Sequence, residues 1–355
     1  MEKEIKYKDR IHQLVIDSPL GIDPGIKIAG KVPTSVSSEF ITNKAQGDWA
    51  EKIVYEAIKR NNEFVAIRYG RSDDLSAGDA GFKEFYENYQ EELNNIGKKP
   101  DLLIYRKSDY FNGIEESENG VRKAICAIEV RSSSFLVNKY NLFMEQRNNN
   151  AADRINEIKA EIFNDGSLSK LLESKKPALF KLIKDTDIEQ YKEGVSLKFT
   201  SMSSSKDLVR LSELIKDLKD NIRILQKRDY LSITPKVEDI ALVNRWISNF
   251  NVPHYYLQVF FDSAYIISFE DILKISSSSS DEGVKFSIEK DTKNQGKTTV
   301  KIDINIANLI IDEIEIPDHK SQMKELDRGR LLFFVNFDGV SGNLNESILK
   351  DMIIR

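Results

Sequence analysis

The chain has 355 residues, with 57 acidic against 52 basic side chains and a formal net charge of −5. At 40% hydrophobic and 9% aromatic it has the material for a core, which excludes a wholly disordered chain, and its length fits one large domain or two ordinary ones. No apolar run approaches the roughly 20 residues that cross a bilayer, and the opening Met1-Glu2-Lys3-Glu4-Ile5-Lys6 is too charged for a signal peptide, so a soluble cytoplasmic protein is expected.

In chain order, the first strong element is a helix over Gln46 to Arg60, where Trp49, Ile53, Val54, Ala57 and Ile58 recur at helical spacing. A β-rich run follows from Glu63 to Tyr69, stopped by Gly70. The stripe Phe82, Phe85, Tyr86, Tyr89 and Leu93 predicts a second helix ended by Gly97. Short strands are expected at Asp101 to Tyr105 and Ala124 to Arg131, separated by a polar loop. Lys139 to Glu193 reads as mainly helical and highly charged, interrupted at Pro177, with a strand at Val195 to Thr200 and a long amphipathic helix from Lys206 to Gln226. Beyond Leu231 to Thr234 come a helix at Val237 to Asn249, an apolar strand at His254 to Phe261 and its hairpin partner at Tyr265 to Phe269. A Ser-rich loop at Ser276 to Ser280 precedes a hairpin, Val284 to Glu289 with Thr298 to Ile304, and a last strand at Leu331 to Phe337. The order of elements is that of a mixed α/β protein.

Several chemistries are excluded by count. Cys126 is the single cysteine, and His12, His254 and His319 lie far apart, so neither a thiolate zinc cluster nor an HExxH site can form, and any metal is expected to have oxygen ligands. Gly25 to Lys31 fits GxxxxGK, but Val32 and Pro33 stand where a hydroxyl and a helix start are needed, so the phosphate-loop mechanism fails. The informative constellation is Lys99-Pro100-Asp101-Leu102-Leu103-Ile104 followed, 28 residues after Asp101, by Glu129 within Ala127-Ile128-Glu129-Val130-Arg131. Pro100 forces an extended entry and puts Asp101 at a strand start. Glu129 interrupts the otherwise apolar run Ile125 to Val130, which is costly unless a cation or hydrogen bonds compensate it. Strand alternation sets Glu129, Arg131 and Ser133 on one face, about 6.6 Å apart per step. Two carboxylates converging from neighbouring strands would make a hard-oxygen site suited to Mg²⁺; a strand-end Asp and a cross-strand Glu–Arg pair is the plainer reading of each alone.

Taken together these residues resemble the PD-(D/E)xK nuclease signature. Three further blocks, Gln46 to Glu51, Leu231 to Asp239 and Asn251 to Asp262, are similar to segments of type II restriction endonucleases, most of all the AccI-like group. The resemblance implies an α/β fold with a PD-(D/E)xK restriction-endonuclease-like core, a mixed central β-sheet flanked by helices, carrying helical and β-hairpin insertions. It implies one large nuclease domain over 1–355, with catalytic core elements at 46–135 and 251–270. A mainly helical insertion or recognition region is expected at 139–236 and a β-rich recognition and dimerisation region at 276–355.

By the same resemblance Asp101 and Glu129 would hold Mg²⁺, Glu51 on the upstream helix would be the additional acid, and Arg131 occupies the motif's lysine position. Arginine cannot act as a general base, because its pKa stays above about 12, so its expected role is electrostatic. Lys107 and Lys123 share the strand parity but lie about 20 Å along it, and Lys236 could reach the site only through the fold. Arg71, Ser132, Ser133, Lys206, Arg228, Lys236, Lys320 and Arg328 are candidate DNA contacts. The implied activity is hydrolysis of double-stranded DNA at a short near-palindromic site, leaving 5′-phosphate ends. A homodimer, a cognate methyltransferase and a bacterial cytoplasm are implied with it. Two alternatives stay open at this point: a DNA-binding protein on a nuclease fold that lost catalysis at Arg131, and a repair or recombination nuclease acting on ends, junctions or flaps.

Overall fold

The computed structural model describes residues 5–70, 75–291, 297–326 and 329–354. Contacts divide the chain into two compact units, Met1–Val137 with Leu231–Arg355, and Asn138–Tyr230. The first unit opens with α1 (Tyr7–Asp17), α2 (Ser38–Lys59), β1 (Phe64–Arg68), α3 (Phe82–Asn95), β2 (Leu102–Arg106), the single turn α4 (Glu118–Val121) and β3 (Cys126–Ser132). The second contains α5 (Val137–Asn164, entered from the first), α6 (Gly166–Lys175), α7 (Pro177–Asp185), α8 (Ile188–Lys192) and α9 (Lys206–Gln226). The chain then returns through β4 (Ser232–Ile233), α10 (Val237–Phe250), β5 (His254–Val259), β6 (Ala264–Ser268) and α11 (Phe269–Ser276). It ends with β7 (Phe286–Asp291), β8 (Lys297–Asp303), β9 (Asn308–Asp312), β10 (Asp318–Glu325), β11 (Leu331–Asp338), β12 (Asn343–Leu344) and α12 (Glu346–Ile354).

The first unit is organised by a seven-stranded mixed sheet of order β1-β2-β3-β5-β6-β9-β12. Only the central pair β3 and β5 is parallel, with Glu129 opposite Tyr256 and Arg131 opposite Gln258. β2 runs antiparallel to β3, with Leu102 opposite Ile128, so Asp101 enters one step from Glu129. The two central strands are covered on both faces, which explains their near-continuous apolar runs. One face buries Ile128, Val130, Leu257 and Val259 against Trp49, Ile53 and Ala57 of α2. On the other, α10 and α11 bring Trp246 and Phe269 against His254, with ring centroids 6.1 and 5.8 Å away. A three-stranded sheet, β4-β8-β7, and the hairpin β10-β11 complete the unit.

α2 begins eight residues earlier than the sequence pattern suggests, at Ser38 rather than Gln46. Ser37 caps it by accepting from Phe40 N–H, and Gly47 is carried inside the helix because the apolar face on either side packs on the sheet. In the second unit Pro177 opens α7 at its first turn, where a missing N–H costs nothing. Asp187 and Gln190 close a reciprocal capping box on α8. Val195 to Thr200, expected as a strand, carries neither strand nor helix. Its alternate side chains Val195, Leu197 and Phe199 pack into the helical core, and no strand lies among the described residues of that unit to pair with it. No helix among the described residues is long and apolar enough to cross a membrane.

Candidate active site

The central strands set the site's geometry. Pro100 and Asp101 are held against the end of β1, since the Asp101 carbonyl accepts Tyr69 N–H at 2.9 Å and Gly70 N–H at 3.4 Å. Gly70 eases this approach, because a Cβ there would lie tightly, at 3.3 Å, against both Asp101 Cα and the Pro100 oxygen. The Asp101 side chain crosses to β3, where Oδ2 accepts Val130 N–H at 2.6 Å. The backbone of one acid's neighbour thus fixes the other acid.

Glu129 is 1% exposed, and its charge is compensated as the sequence demands. Oε1 meets Lys98 Nζ at 2.6 Å and Arg131 Nη2 at 2.9 Å. Both cations turn their other contact to Asp239 Oδ2, each at 3.1 Å. Two carboxylates and two cations therefore form a closed ring between the central strands and α10. Asp239 lies in the first turn of α10, where helix-end N–H groups favour a negative charge. Burial opposes ionisation of Glu129 and Asp239, but the neighbouring Lys98 and Arg131 outweigh it, holding Glu129 below its usual range and taking Asp239 down to about 2. Burial would discharge Lys98 and Arg131 as well, yet their carboxylate partners hold both pKa values above their ordinary ones.

Asp101 behaves in the opposite way. Burial, then the charges of Glu129 and Glu51, push its carboxyl well above the usual range. Glu129 Oε2 is buried with no hydrogen-bond partner among the described residues. A buried carboxylate oxygen without a donor, beside a carboxyl that resists ionisation, is chemically compatible with a hard cation. The fit is limited to two carboxylates, since no group of three His, Cys, Asp or Glu at metal-holding spacing occurs among the described residues. Mg²⁺ is commonly held in this way, with solvent completing its shell.

Behind the ring, His254 and Tyr256 are fully buried, and their ring nitrogens and hydroxyl have no hydrogen-bond partner among the described residues. Burial lowers His254 to about 4 and raises Tyr256, so both are neutral at pH 7.

Of the residues singled out from sequence, Asp101, Glu129 and Arg131 come together, and Glu51 on α2, partly buried, is near enough for its charge to reach Asp101. Lys107 is not at the site; its Nζ donates to the Asn61 carbonyl at 2.6 Å. Lys236 directly precedes α10 and its charge helps to lower Asp239. Ser132 ends β3 and Ser133 N–H donates to the Val259 carbonyl at 2.9 Å. Lys320 is exposed on β10, whereas Lys206 and Arg228 belong to the helical unit. Arg71 and Arg328 lie outside the described residues. Sequence reasoning missed Lys98 and Asp239. Lys98 directly precedes the Lys99-Pro100-Asp101 motif and Asp239 ends the block Leu231 to Asp239, so each stood beside a recognised segment without a chemical role.

A family model described as AccI restriction endonuclease matches residues 6–354. The chain belongs to the AccI restriction endonuclease family. This is a family of type II site-specific deoxyribonucleases, and the match spans both units of the AccI-family chain. No similar curated protein and no similar solved structure is found.

Proposed function

We propose that this AccI-family chain is a Mg²⁺-dependent endonuclease of the PD-(D/E)xK type that cuts double-stranded DNA at a short near-palindromic sequence and leaves 5′-phosphate ends. The observation that carries the proposal is the convergence of Asp101 with Glu129, whose second oxygen is buried without a donor. These two residues would hold the ion, with Glu51 close enough to reinforce the field at Asp101. Bound there, Mg²⁺ would supply Lewis-acid chemistry, acidifying water and offsetting phosphate charge. Arg131, already fixed by Glu129 and Asp239, offers a rigid N–H fork to the negative charge that develops on the phosphate oxygens. His254 and Tyr256 form a neutral, water-poor floor under the carboxylates, which strengthens every charge interaction above them.

A near-palindromic site calls for two-fold protein symmetry, one active site per strand, and hence a homodimer. The helical unit and the β10-β11 hairpin, with Lys206, Arg228 and Lys320, exceed what the carboxylate site needs and are assigned to DNA contact. A cell holding such an enzyme needs a methyltransferase that protects the same sequence.

The test is a digest of unmethylated phage-sized DNA with purified protein, in Mg²⁺ and in EDTA. Discrete Mg²⁺-dependent bands are expected, and Asp101→Ala or Glu129→Ala should abolish them, with melting temperature reporting the cost of removing the buried Glu129 charge. Normal cutting by either variant would sink the assignment of the carboxylates, and intact DNA with a gel shift would instead favour a protein that binds without cutting.

A further inference from the structure

The site has a lysine although the motif position holds Arg131. We propose that Lys98 performs the motif lysine's orienting part, reaching the carboxylates from the turn before the first acid and touching the attacking water as a charged ammonium, with Asp239 as the positioning residue that aims it. The inference rests on the endonuclease reading of the site.

Two geometric facts carry it. First, Lys98 Nζ and Arg131 Nη2 contact the same two oxygens, Glu129 Oε1 at 2.6 and 2.9 Å and Asp239 Oδ2 at 3.1 Å each. The ammonium of Lys98 therefore stands where a lysine at position 131 would bring its own, beside the second acid. An ammonium has three N–H groups; the two carboxylates occupy two, and the third, with no further partner among the described residues, is open to a reaction partner.

Second, the backbone is built to deliver this side chain. Gly97 has a φ of +87°, and a Cβ on it would sit 2.3 Å from the Leu242 oxygen and 2.5 Å from Trp246 N, so the chain lies against α10 more closely than any other residue permits. Lys98 N–H then donates to the Leu242 carbonyl at 3.1 Å. Leu242 is one turn along the helix from Asp239, so one stretch of α10 grips both ends of Lys98.

A purely structural reading explains less. Arg131 alone would neutralise Glu129, yet the protein buries a second cation and then a second carboxylate to balance it. Such additions cost desolvation and are weak contributors to stability.

The test uses the intact protein and a duplex bearing the site located by the wild-type digest. Lys98→Met is compared with Lys98→Met/Asp239→Asn, in which the Glu129–Arg131 pair remains and charge balance is restored. Melting temperature reports the fold, a gel shift with Ca²⁺ in place of Mg²⁺ reports duplex binding, and single-turnover cleavage in Mg²⁺ reports chemistry. The double variant is expected to melt near the wild type, to bind duplex within about threefold, and to cut at least about 100-fold more slowly. Asp239→Asn alone should lower kcat with KM little changed, and Asp239→Glu should recover most of that loss. If Lys98 is only a counter-charge, the double variant will cut within about threefold of wild type at a lower Mg²⁺ midpoint, and the proposal is overturned. Intact DNA from the wild type removes the reaction itself, and with it both readings. Cutting that is lost in Asp101→Asn but kept in the double variant removes the role of Lys98 alone.

Discussion

His254 offers the most quantitative check on the buried polar layer beneath the carboxylates. Its imidazole is fully buried among Trp246, Tyr256 and Phe269, and burial lowers its pKa from 6.5 to about 4. The unfolded chain therefore takes up a proton near pH 6.5, whereas the folded protein refuses it until about pH 4. Stability is full above pH 6.5, falls as pH drops through the interval, and stops falling from this cause below about 4. The whole interval corresponds to about 3 kcal/mol, of which about 2 kcal/mol is lost by pH 5. His254→Phe removes the titration and two buried nitrogens without hydrogen-bond partners among the described residues. Urea unfolding of both proteins at pH 7.5 and pH 5 isolates the effect, because titrating groups that do not sense His254 cancel in the difference. The stability gap between variant and wild type should grow by about 2 kcal/mol toward pH 5. A gap that stays constant would mean that the folded protein protonates His254 freely, and the account of a dry neutral floor would fall.

Two further outcomes follow from the carboxylates and the turn before them. Asp101→Asn keeps an acceptor for Val130 N–H but removes a charge that burial, Glu129 and Glu51 disfavour. A carboxyl whose folded pKa is raised destabilises the fold once ionised, so the metal-free variant should melt above wild type at pH 7.5 while losing cleavage. Mg²⁺ at a hundredfold excess over its Kd should stabilise the wild type by about 2.7 kcal/mol and the variant hardly at all; equal stabilisation would place the ion elsewhere. Gly97→Ala puts a methyl at positive φ against the α10 backbone and should cost about 3 kcal/mol in urea unfolding. Wild-type stability in that variant would show that the turn does not need its glycine.

The sequence carried most of the elements because their signals are local. The stripes of α9 and α10 and the apolar runs of β3 and β5 appear where periodicity puts them. Two local readings failed for tertiary reasons: alternation at Val195 to Thr200 reflects packing on helices without a partner strand, and α2 extends back through Gly47 because the sheet supports it. The charge anomaly at Glu129 was legible as a demand for cations, but only Arg131 lay near enough in sequence to answer it. Lys98 and Asp239 are 141 residues apart, and nothing in either segment alone marks them as neighbours. The sequence marks Gly97 as a helix stop, which it is. Its second duty, the close approach to α10, required the partner helix to be in place.

The charges of the assembled site bear on why a divalent cation and a phosphodiester would bind there in succession. Asp101, Glu129 and Asp239 carry three negative charges when ionised, and Lys98 and Arg131 carry two positive ones. The ring satisfies Glu129 and Asp239, so the unmatched charge falls on Asp101, the one carboxyl of the three whose ionisation is disfavoured. A divalent ion on the proposed reading would favour the ionised Asp101, and with all five groups charged and the ion bound their sum, Glu51 aside, would be plus one. A single phosphodiester, with one negative charge, then returns it to neutrality. Arg131 and Lys98 need not leave the ring for this to occur, since Glu129 Oε2 and the unbonded lone pairs of Asp101 remain for the ion. On the proposed reading the second cation and its carboxylate partner would serve to fix two N–H donors beside the phosphate at no net charge, an arrangement that a lone Glu129–Arg131 pair would not supply.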